Sequence, residues 1–208
     1  MASAAQHPTS QDVLQCAARV LAESGPGALS VRRLAARLGV SYQVVYSRFG
    51  DKSGLVDALY RHGFDLLGQR LGGVTEPLGT TERIVALGQA YRAAALAEPE
   101  LYGVMFGRPV PGYVPSARSL LSAWASYQPV VEAIEACLSA GTLVPTAGVP
   151  DASSLAYLCW STGHGIVSLE LSGHAASARA PEGARLIDAA VSALLAPHLP
   201  VTSDPPAD

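Results

Sequence analysis

Residues 30–52 constrain the fold of this chain more than any other segment, because they describe two short helices joined by a tight turn. Ser30 is a preferred N-cap for the first helix, in which apolar residues recur at helical spacing. Gly39 follows that helix and can adopt the left-handed conformation that ends it. Ser41 then caps a second helix, whose Val45 is spaced to face inward. The segment therefore predicts a helix-turn-helix motif.

The outward face of the second helix carries side chains that form hydrogen bonds, stack or bear positive charge. A helix-turn-helix reads the major groove of DNA with side chains of these kinds. The residues predicted on this face are Tyr42, Gln43, Val44, Tyr46, Ser47 and Arg48. Helix–Gly–helix corners with polar faces also occur in small helical domains that bind no DNA. The flanks favour DNA binding, because an amphipathic helix over 10–24, opened by a capping box at Thr9 and Asp12, precedes the motif.

The order of elements in this part of the chain resembles the N-terminal domain of the TetR family of transcriptional regulators. A first helix and a Gly-rich break are followed by the pattern S-V-R-x-L-A-x-x-L-G-V-S-x-x-x-V-Y-x-x-F-G-x-K and then by a further long helix. The resemblance covers about residues 10–65. It implies an all-α fold of about nine helices, with a three-helix helix-turn-helix DNA-binding domain followed by a helical ligand-binding and dimerisation domain. The expected organisation is a flexible N-terminus at 1–9, a DNA-binding domain at 10–54, a ligand-binding and dimerisation domain at 55–197, and a disordered tail at 198–208.

The distribution of charge agrees with this division. Residues 1–70 hold eight basic and five acidic residues, a net charge of +3, whereas the remainder holds six basic and twelve acidic residues, a net charge of −6. The overall charge of −3 therefore conceals a basic N-terminal part. A modest basic patch suits a protein that reads a defined site better than one that coats DNA through many phosphate contacts.

The resemblance also implies individual DNA contacts. The first residues of the second helix, next to the N-cap Ser41, are expected at base edges; they are Tyr42, Gln43 and Val44. Gln can pair with adenine there, and Val can contact a thymine methyl group. Phosphate contacts that fix the register are expected from Tyr46, Ser47, Arg48 and Lys52, the last being the only lysine of the chain. Arg32 could reach either target, and Arg33 and Arg37 are expected on a solvated face.

Beyond residue 71 the spacing predicts a helix at about 80–98, a short segment opened by Pro99, and a long helix at about 116–140 that Pro129 should kink. By the resemblance, aromatic and neighbouring residues of the second half line a cavity for an apolar or aromatic small molecule. The candidate ligand-binding residues are Tyr91, Tyr102, Met105, Phe106, Trp124, Tyr127, Trp160 and His164. Their alternative interpretation is an ordinary hydrophobic core.

The segment 151–172 is apolar on two faces, which calls for two packing partners. With the last helix, at about 182–196, it is the candidate for the interface of a homodimer. The predicted interface residues are Leu155, Cys159, Gly163, Ile166, Ile187, Val191 and Leu194. Trp160 and His164-Gly165 also resemble the C-terminal domain of the TetR subgroup named for its Trp-His-Gly signature.

Other classes of protein fit poorly. The three cysteines are widely spaced, which predicts reduced thiols in the cytoplasm. The sequence shows no signal peptide and no apolar run of membrane-spanning length, so no membrane anchor is expected. The histidines lack metal-ligand spacing, so no metal or cofactor is expected. His164 and Cys159 are five positions apart on one helix and would not meet as a catalytic pair, so the chain is not expected to be an enzyme.

The sequence therefore predicts a ligand-responsive transcriptional regulator. It is expected to be a homodimeric repressor that binds an inverted-repeat operator in double-stranded DNA and is released by a small apolar or aromatic effector. The alternative is a small-molecule-binding or scaffold protein of the same fold that has no sequence-specific DNA binding.

Overall fold

A computed structural model describes residues 8–107, 110–174 and 182–200. Over these residues it contains nine α-helices and no β-strand, which confirms the predicted all-α fold. The helices are α1 Ser10–Ser24, α2 Val31–Leu38, α3 Tyr42–Phe49, α4 Lys52–Gly72, α5 Thr81–Ala97, α6 Pro99–Phe106, α7 Ala117–Ala140, α8 Ala152–Leu171 and α9 Gly183–Leu195. None of the described helices is long and apolar enough to cross a membrane.

The starts of the first two helices are fixed by the side chains predicted to cap them. The Thr9 hydroxyl accepts a hydrogen bond from the Asp12 amide at 3.2 Å, and the Asp12 carboxylate accepts one from the Thr9 amide at 2.7 Å. The Ser30 hydroxyl accepts from the Arg33 amide at 3.1 Å. Each cap satisfies an amide that the helix itself leaves unpaired. Thr9, predicted in a flexible N-terminus, is therefore part of the α1 cap, while residues 1–7 lie outside the described residues.

The chain divides into two compact units. The first comprises residues 1–66 and 98–125, and the second comprises 67–97 and 126–208. Helices α4 and α7 each contribute residues to both units, and α7 continues through Pro129. The functional assignment of the predicted domains, with a boundary at residue 54, stays a prediction.

The core of the first unit is formed by the apolar stripes of its helices. Fully buried side chains from α1 to α4 meet there, among them Val13, Leu34, Val45, Leu55 and Leu59. Helix α6 adds two more buried side chains, Leu101 and Val104, to the same cluster. The beginning of α4 is thus packed as part of the helix-turn-helix unit.

The core of the second unit lies among α5, α8 and α9. Ile187 on α9 is fully buried and lies against glycines on both of its neighbours. A β-carbon built on Gly88 would lie 2.9 Å from Ile187 Cγ2, and one on Gly163 would lie 3.8 Å from Ile187 Cδ1. The absence of a side chain at Gly88 therefore allows α5 and α9 to pack closely.

His198 was predicted to belong to a disordered tail, but it is buried and hydrogen-bonded. Its Nδ1 lies 2.9 Å from the Val144 carbonyl oxygen, and the Val144 amide donates to the His198 carbonyl at 2.7 Å. These bonds connect the chain after α9 to the loop after α7. The local sequence does not predict this contact, because the two segments are far apart in the chain. Residues 201–208 of the predicted tail lie outside the described residues.

The same substitution should have opposite effects at two glycines of the first unit. Gly39 has φ of 67°, so Gly39→Ala should lower the free energy of unfolding by about 1 kcal/mol. Gly103 is exposed within α6 and has no atom within 4 Å of an added β-carbon, so Gly103→Ala should raise it by roughly 0.5–1 kcal/mol. Urea unfolding measures both, and a shift of the same sign in the two variants would contradict this account.

Candidate nucleic-acid interface and ligand-binding residues

Helix α3 is held on the first unit by the turn before it and by one buried side chain. Gly39 adopts the predicted left-handed conformation, and the Val40 amide donates to the Ala35 carbonyl at 3.0 Å. Ser41 occupies the N-cap position, although its side chain forms no capping hydrogen bond. Val45 is fully buried, so the opposite face of α3 points away from the core.

The exposed face of α3 consists of residues predicted to contact DNA. Tyr42, Gln43, Tyr46, Ser47 and Arg48 are exposed, as is Ser41, whereas Val44 is partly buried. The Tyr42 and Tyr46 rings stack with their centroids 5.4 Å apart, and the Ser47 hydroxyl donates to the Val44 carbonyl at 3.3 Å. The structure thus leaves the predicted base-contacting and phosphate-contacting side chains of α3 exposed, apart from the partly buried Val44.

Two of the predicted phosphate contacts also hold neighbouring backbone in place. An Arg48 guanidinium N–H donates to the Pro8 carbonyl beside the α1 cap. The Lys52 ammonium, on the first residue of α4, donates to the Pro26 carbonyl in the Gly-rich break between α1 and α2. The sequence could not show these contacts, because they join residues that are 40 and 26 positions apart.

The basic residues of α2 differ in their surroundings. Arg32 and Arg33 are exposed. Arg37 is exposed as well, and its guanidinium pairs with the Glu23 carboxylate of α1 at 3.0 Å. The charge of Arg37 is therefore partly neutralised by Glu23, and its place outside the DNA contacts stays a prediction.

Asp57 on α4 accepts several hydrogen bonds from Tyr113 and Ser116, and the sequence did not predict these contacts. Its carboxylate accepts hydrogen bonds from the Tyr113 hydroxyl at 2.9 Å, the Ser116 amide at 2.8 Å and the Ser116 hydroxyl at 2.9 Å. Burial opposes ionisation of Asp57, but the hydrogen bonds from Ser116, Ser119 and Tyr113 outweigh it and keep its pKa below the usual value. Asp57 thereby ties the loop before α7, and the start of α7, to α4.

Four candidate ligand-binding residues lie in the first unit. Tyr102 and Met105 are buried, and Phe106 packs against Tyr102 with ring centroids 4.8 Å apart. Phe64 of α4 joins them, with its centroid 5.4 Å from that of Phe106. Trp124, by contrast, is 64% exposed on α7.

The other four candidates lie in the second unit and are close to one another. The Tyr91 hydroxyl is 3.1 Å from His164 Nδ1. The Trp160 ring centroid is 6.2 Å from that of His164 and 5.8 Å from that of Tyr127. The Tyr127 hydroxyl donates to the Ser153 carbonyl at 3.2 Å. Helices α5, α7 and α8 thus place the predicted aromatic residues of this unit in one cluster.

A partly buried ion pair joins α5 to α8. Arg92 of α5 and Glu170 of α8 form a bidentate pair, with Arg92 Nε 2.8 Å from Glu170 Oε2. This contact was missed, because the sequence offers no signal that pairs two residues 78 positions apart. Glu170 is therefore engaged with Arg92, and Asp151 caps α8 by accepting from the Ser154 amide at 2.7 Å.

Cys159 is buried, which raises the pKa of its thiol to about 11 and keeps it protonated at neutral pH. Across 8–107, 110–174 and 182–200, no three His, Cys, Asp or Glu side chains are grouped so as to hold a metal ion.

Most of the predicted dimer-interface residues are buried within the chain itself. These are Leu155, Cys159, Gly163, Ile187 and Val191, while Ile166 and Leu194 are partly buried. Helices α8 and α9 pack against each other, so their strongest apolar stripes are used inside the protomer. The large apolar side chains that α8 and α9 leave exposed are Tyr157, Leu158, Leu169 and Leu186.

Comparison with known proteins agrees with this architecture. A family model described as "Bacterial regulatory proteins, tetR family" matches residues 13–59. A second, described as "Tetracyclin repressor-like, C-terminal domain", matches residues 84–194, slightly more than half of the chain. The chain belongs to the TetR family. It is therefore a DNA-binding transcriptional regulator and not an enzyme, whereas membership of the Trp-His-Gly subgroup stays a prediction.

Solved structures agree with the family assignment. A protein of unknown function from Rhodococcus sp. RHA1 is 28% identical, with a TM-score of 0.78 over 96% of this chain and 100% of that chain. A putative regulatory protein is also 28% identical, with a TM-score of 0.72 over 90% and 95%. The TetR family regulator PfmR from Thermus thermophilus, 16% identical, has the same fold, with a TM-score of 0.69 over 88% and 97%. No curated protein matched the chain.

His164 should make the TetR-family chain less stable in mild acid. Burial lowers the pKa of its imidazole, so the folded state favours the neutral ring. This contribution to stability is complete above the ordinary histidine pKa and is lost as the pH falls through the lower pKa of the folded state. His164→Asn should therefore reduce the loss of unfolding free energy between about pH 7 and pH 5. NMR titration tests the cause directly, and a His164 midpoint at or above the ordinary value would contradict it.

Proposed function

We propose that this TetR-family regulator is a homodimeric repressor that binds an inverted-repeat operator and is released by a small apolar or aromatic effector. The exposed face of α3, anchored by Val45, is the observation that carries the proposal. It presents a planar amide at Gln43, two aromatic rings and the cationic Arg48 on a rigid helix. Amide and guanidinium groups form hydrogen bonds with base edges and phosphates of B-DNA.

A second copy of the chain is the partner that an inverted repeat requires. The large apolar side chains that α8 and α9 leave exposed support this arrangement, because a second copy of the chain would cover them. They are Tyr157, Leu158, Leu169 and Leu186. Five of the seven predicted interface residues are buried inside the protomer, so these four exposed residues carry the dimer proposal, together with the partly buried Ile166 and Leu194.

The aromatic clusters support an apolar or aromatic effector. In the second unit, Tyr91, Tyr127, Trp160 and His164 offer flat apolar surfaces together with hydroxyl and imidazole groups. Ligand pockets combine such apolar linings with a few polar groups that fix orientation. Helix α4 is the proposed link between effector and DNA binding, because it begins at Lys52, a proposed phosphate contact, and ends at Gly72 in the second unit. An effector that prefers one position of α4 would shift the equilibrium between DNA-binding and released states.

Selection of bound sequences from a random pool of DNA tests this function. The parent protein should enrich an inverted repeat, and Gln43→Ala should lose preference at one base position by about tenfold, because a bidentate amide contact with adenine is worth about 1–3 kcal/mol. Binding assays on the selected operator and its single-base variants measure the preference. Ser53→Ala, an exposed change in the first turn of α4, is the matched control. No enrichment by the parent protein would favour a ligand-binding protein of the same fold without sequence-specific DNA binding.

Lys52 should contribute affinity without sequence preference. Lys52→Ala should weaken binding to all sequences alike and reduce the slope of log affinity against log salt by about one unit per protomer, because one phosphate contact is lost. Arg37→Ala removes the same charge from a residue paired with Glu23 and should leave the slope nearly unchanged. Equal slopes for Lys52→Ala and the parent protein would exclude the phosphate contact.

A further inference from the structure

Tyr42 and Tyr46 form a stacked aromatic pair on the surface of α3. Their ring centroids are 5.4 Å apart, the ring planes differ by 21°, and each residue is 44% exposed. The two residues are one helical turn apart, which brings their side chains onto the same face. Large aromatic surfaces are usually buried, so an exposed pair on the helix proposed to enter DNA indicates a surface that is covered in the complex.

The position of the pair on α3 distinguishes the roles of its members. Tyr42 is the first residue of α3, and the N-terminal residues of a recognition helix are the ones that contact base edges. Tyr46 follows one turn later and lies beside the Tyr42 ring. In the major groove, thymine is the only base that presents a methyl group, which apolar side chains contact.

We propose that the Tyr42 ring contacts a thymine methyl group in each half-site and that Tyr46 is a positioning residue that holds this ring by stacking. The inference rests on the proposed DNA-binding function and goes beyond it by naming the base feature that is read. The stack limits the rotamers of Tyr42 in the free protein, so less conformational entropy is lost when the ring meets the base. Tyr46 then acts through its ring, in addition to any contact of its hydroxyl with a phosphate.

Replacement of single thymines by deoxyuridine tests this role, because it removes only the major-groove methyl group. In the selected operator, one such replacement in each half-site should weaken binding of the parent protein about fifteenfold, because each lost methyl contact costs about fourfold in affinity. Tyr42→Ala should abolish this discrimination. Tyr46→Ala should abolish most of it, whereas Tyr46→Phe, which keeps the ring and removes the hydroxyl, should retain it.

Ser53→Ala is the matched control, since Ser53 is exposed in the first turn of α4 and is not among the residues proposed to contact DNA. It should keep the full discrimination between thymine and deoxyuridine. Thermal unfolding of every variant confirms that the exposed substitutions leave the fold intact.

The outcomes separate this inference from the proposed function. If the parent protein selects an operator but no thymine replacement weakens binding, the methyl contact is wrong. If Tyr46→Ala discriminates as well as the parent protein, the positioning role is wrong. If the parent protein selects no sequence at all, the proposed function fails, and this inference fails with it.

Discussion

The surface proposed to bind DNA depends on the burial of Val45 beneath α3. An isolated helix of eight residues is not stable in water, so α3 takes its conformation and its orientation from the core on which it packs. Val45 contributes no exposed surface, and the left-handed Gly39 directs the chain from α2 into α3. Once that side chain is buried, helical geometry alone decides which residues face outward. The set of residues proposed to face DNA follows from one buried valine and the turn before it.

Several charged groups near this surface stabilise the free protein through backbone or side-chain partners. The Arg48 guanidinium donates a hydrogen bond to the Pro8 carbonyl, and the Lys52 ammonium donates one to the Pro26 carbonyl. Arg37 forms an ion pair with Glu23. For the first two residues, DNA binding in the proposed mode replaces a neutral carbonyl by a charged phosphate, which forms the stronger hydrogen bond. The groups proposed to fix the register on DNA therefore also order the segments around α1. Asp57 does the same for the start of α7, through three hydrogen bonds to one carboxylate.

The local sequence predicted the helices well, because their signals are local. The capping box at Thr9 and Asp12 and the Ser30 cap all act within one turn, and the structure has each of them. The candidate sites were only partly predictable. Helical spacing put Tyr42 and Gln43 on one face correctly, but it could not show that Ile187 and Leu155 belong to the protomer core. An apolar stripe looks the same whether its partner is another helix of the same chain or a second copy.

The sequence by itself determined the fold class, the helix-turn-helix motif and the face of α3 that meets solvent, since periodicity and capping depend on residues a few positions apart. The tertiary structure decided the contacts between distant residues. It paired Arg92 with Glu170, placed Tyr91 against His164 and buried His198 beside Val144. These contacts depend on how helices pack, and packing is set by the summed burial of many side chains rather than by any short pattern. The proposed sites for effector and partner depend on that packing, whereas the proposed site for DNA lies on a single helix.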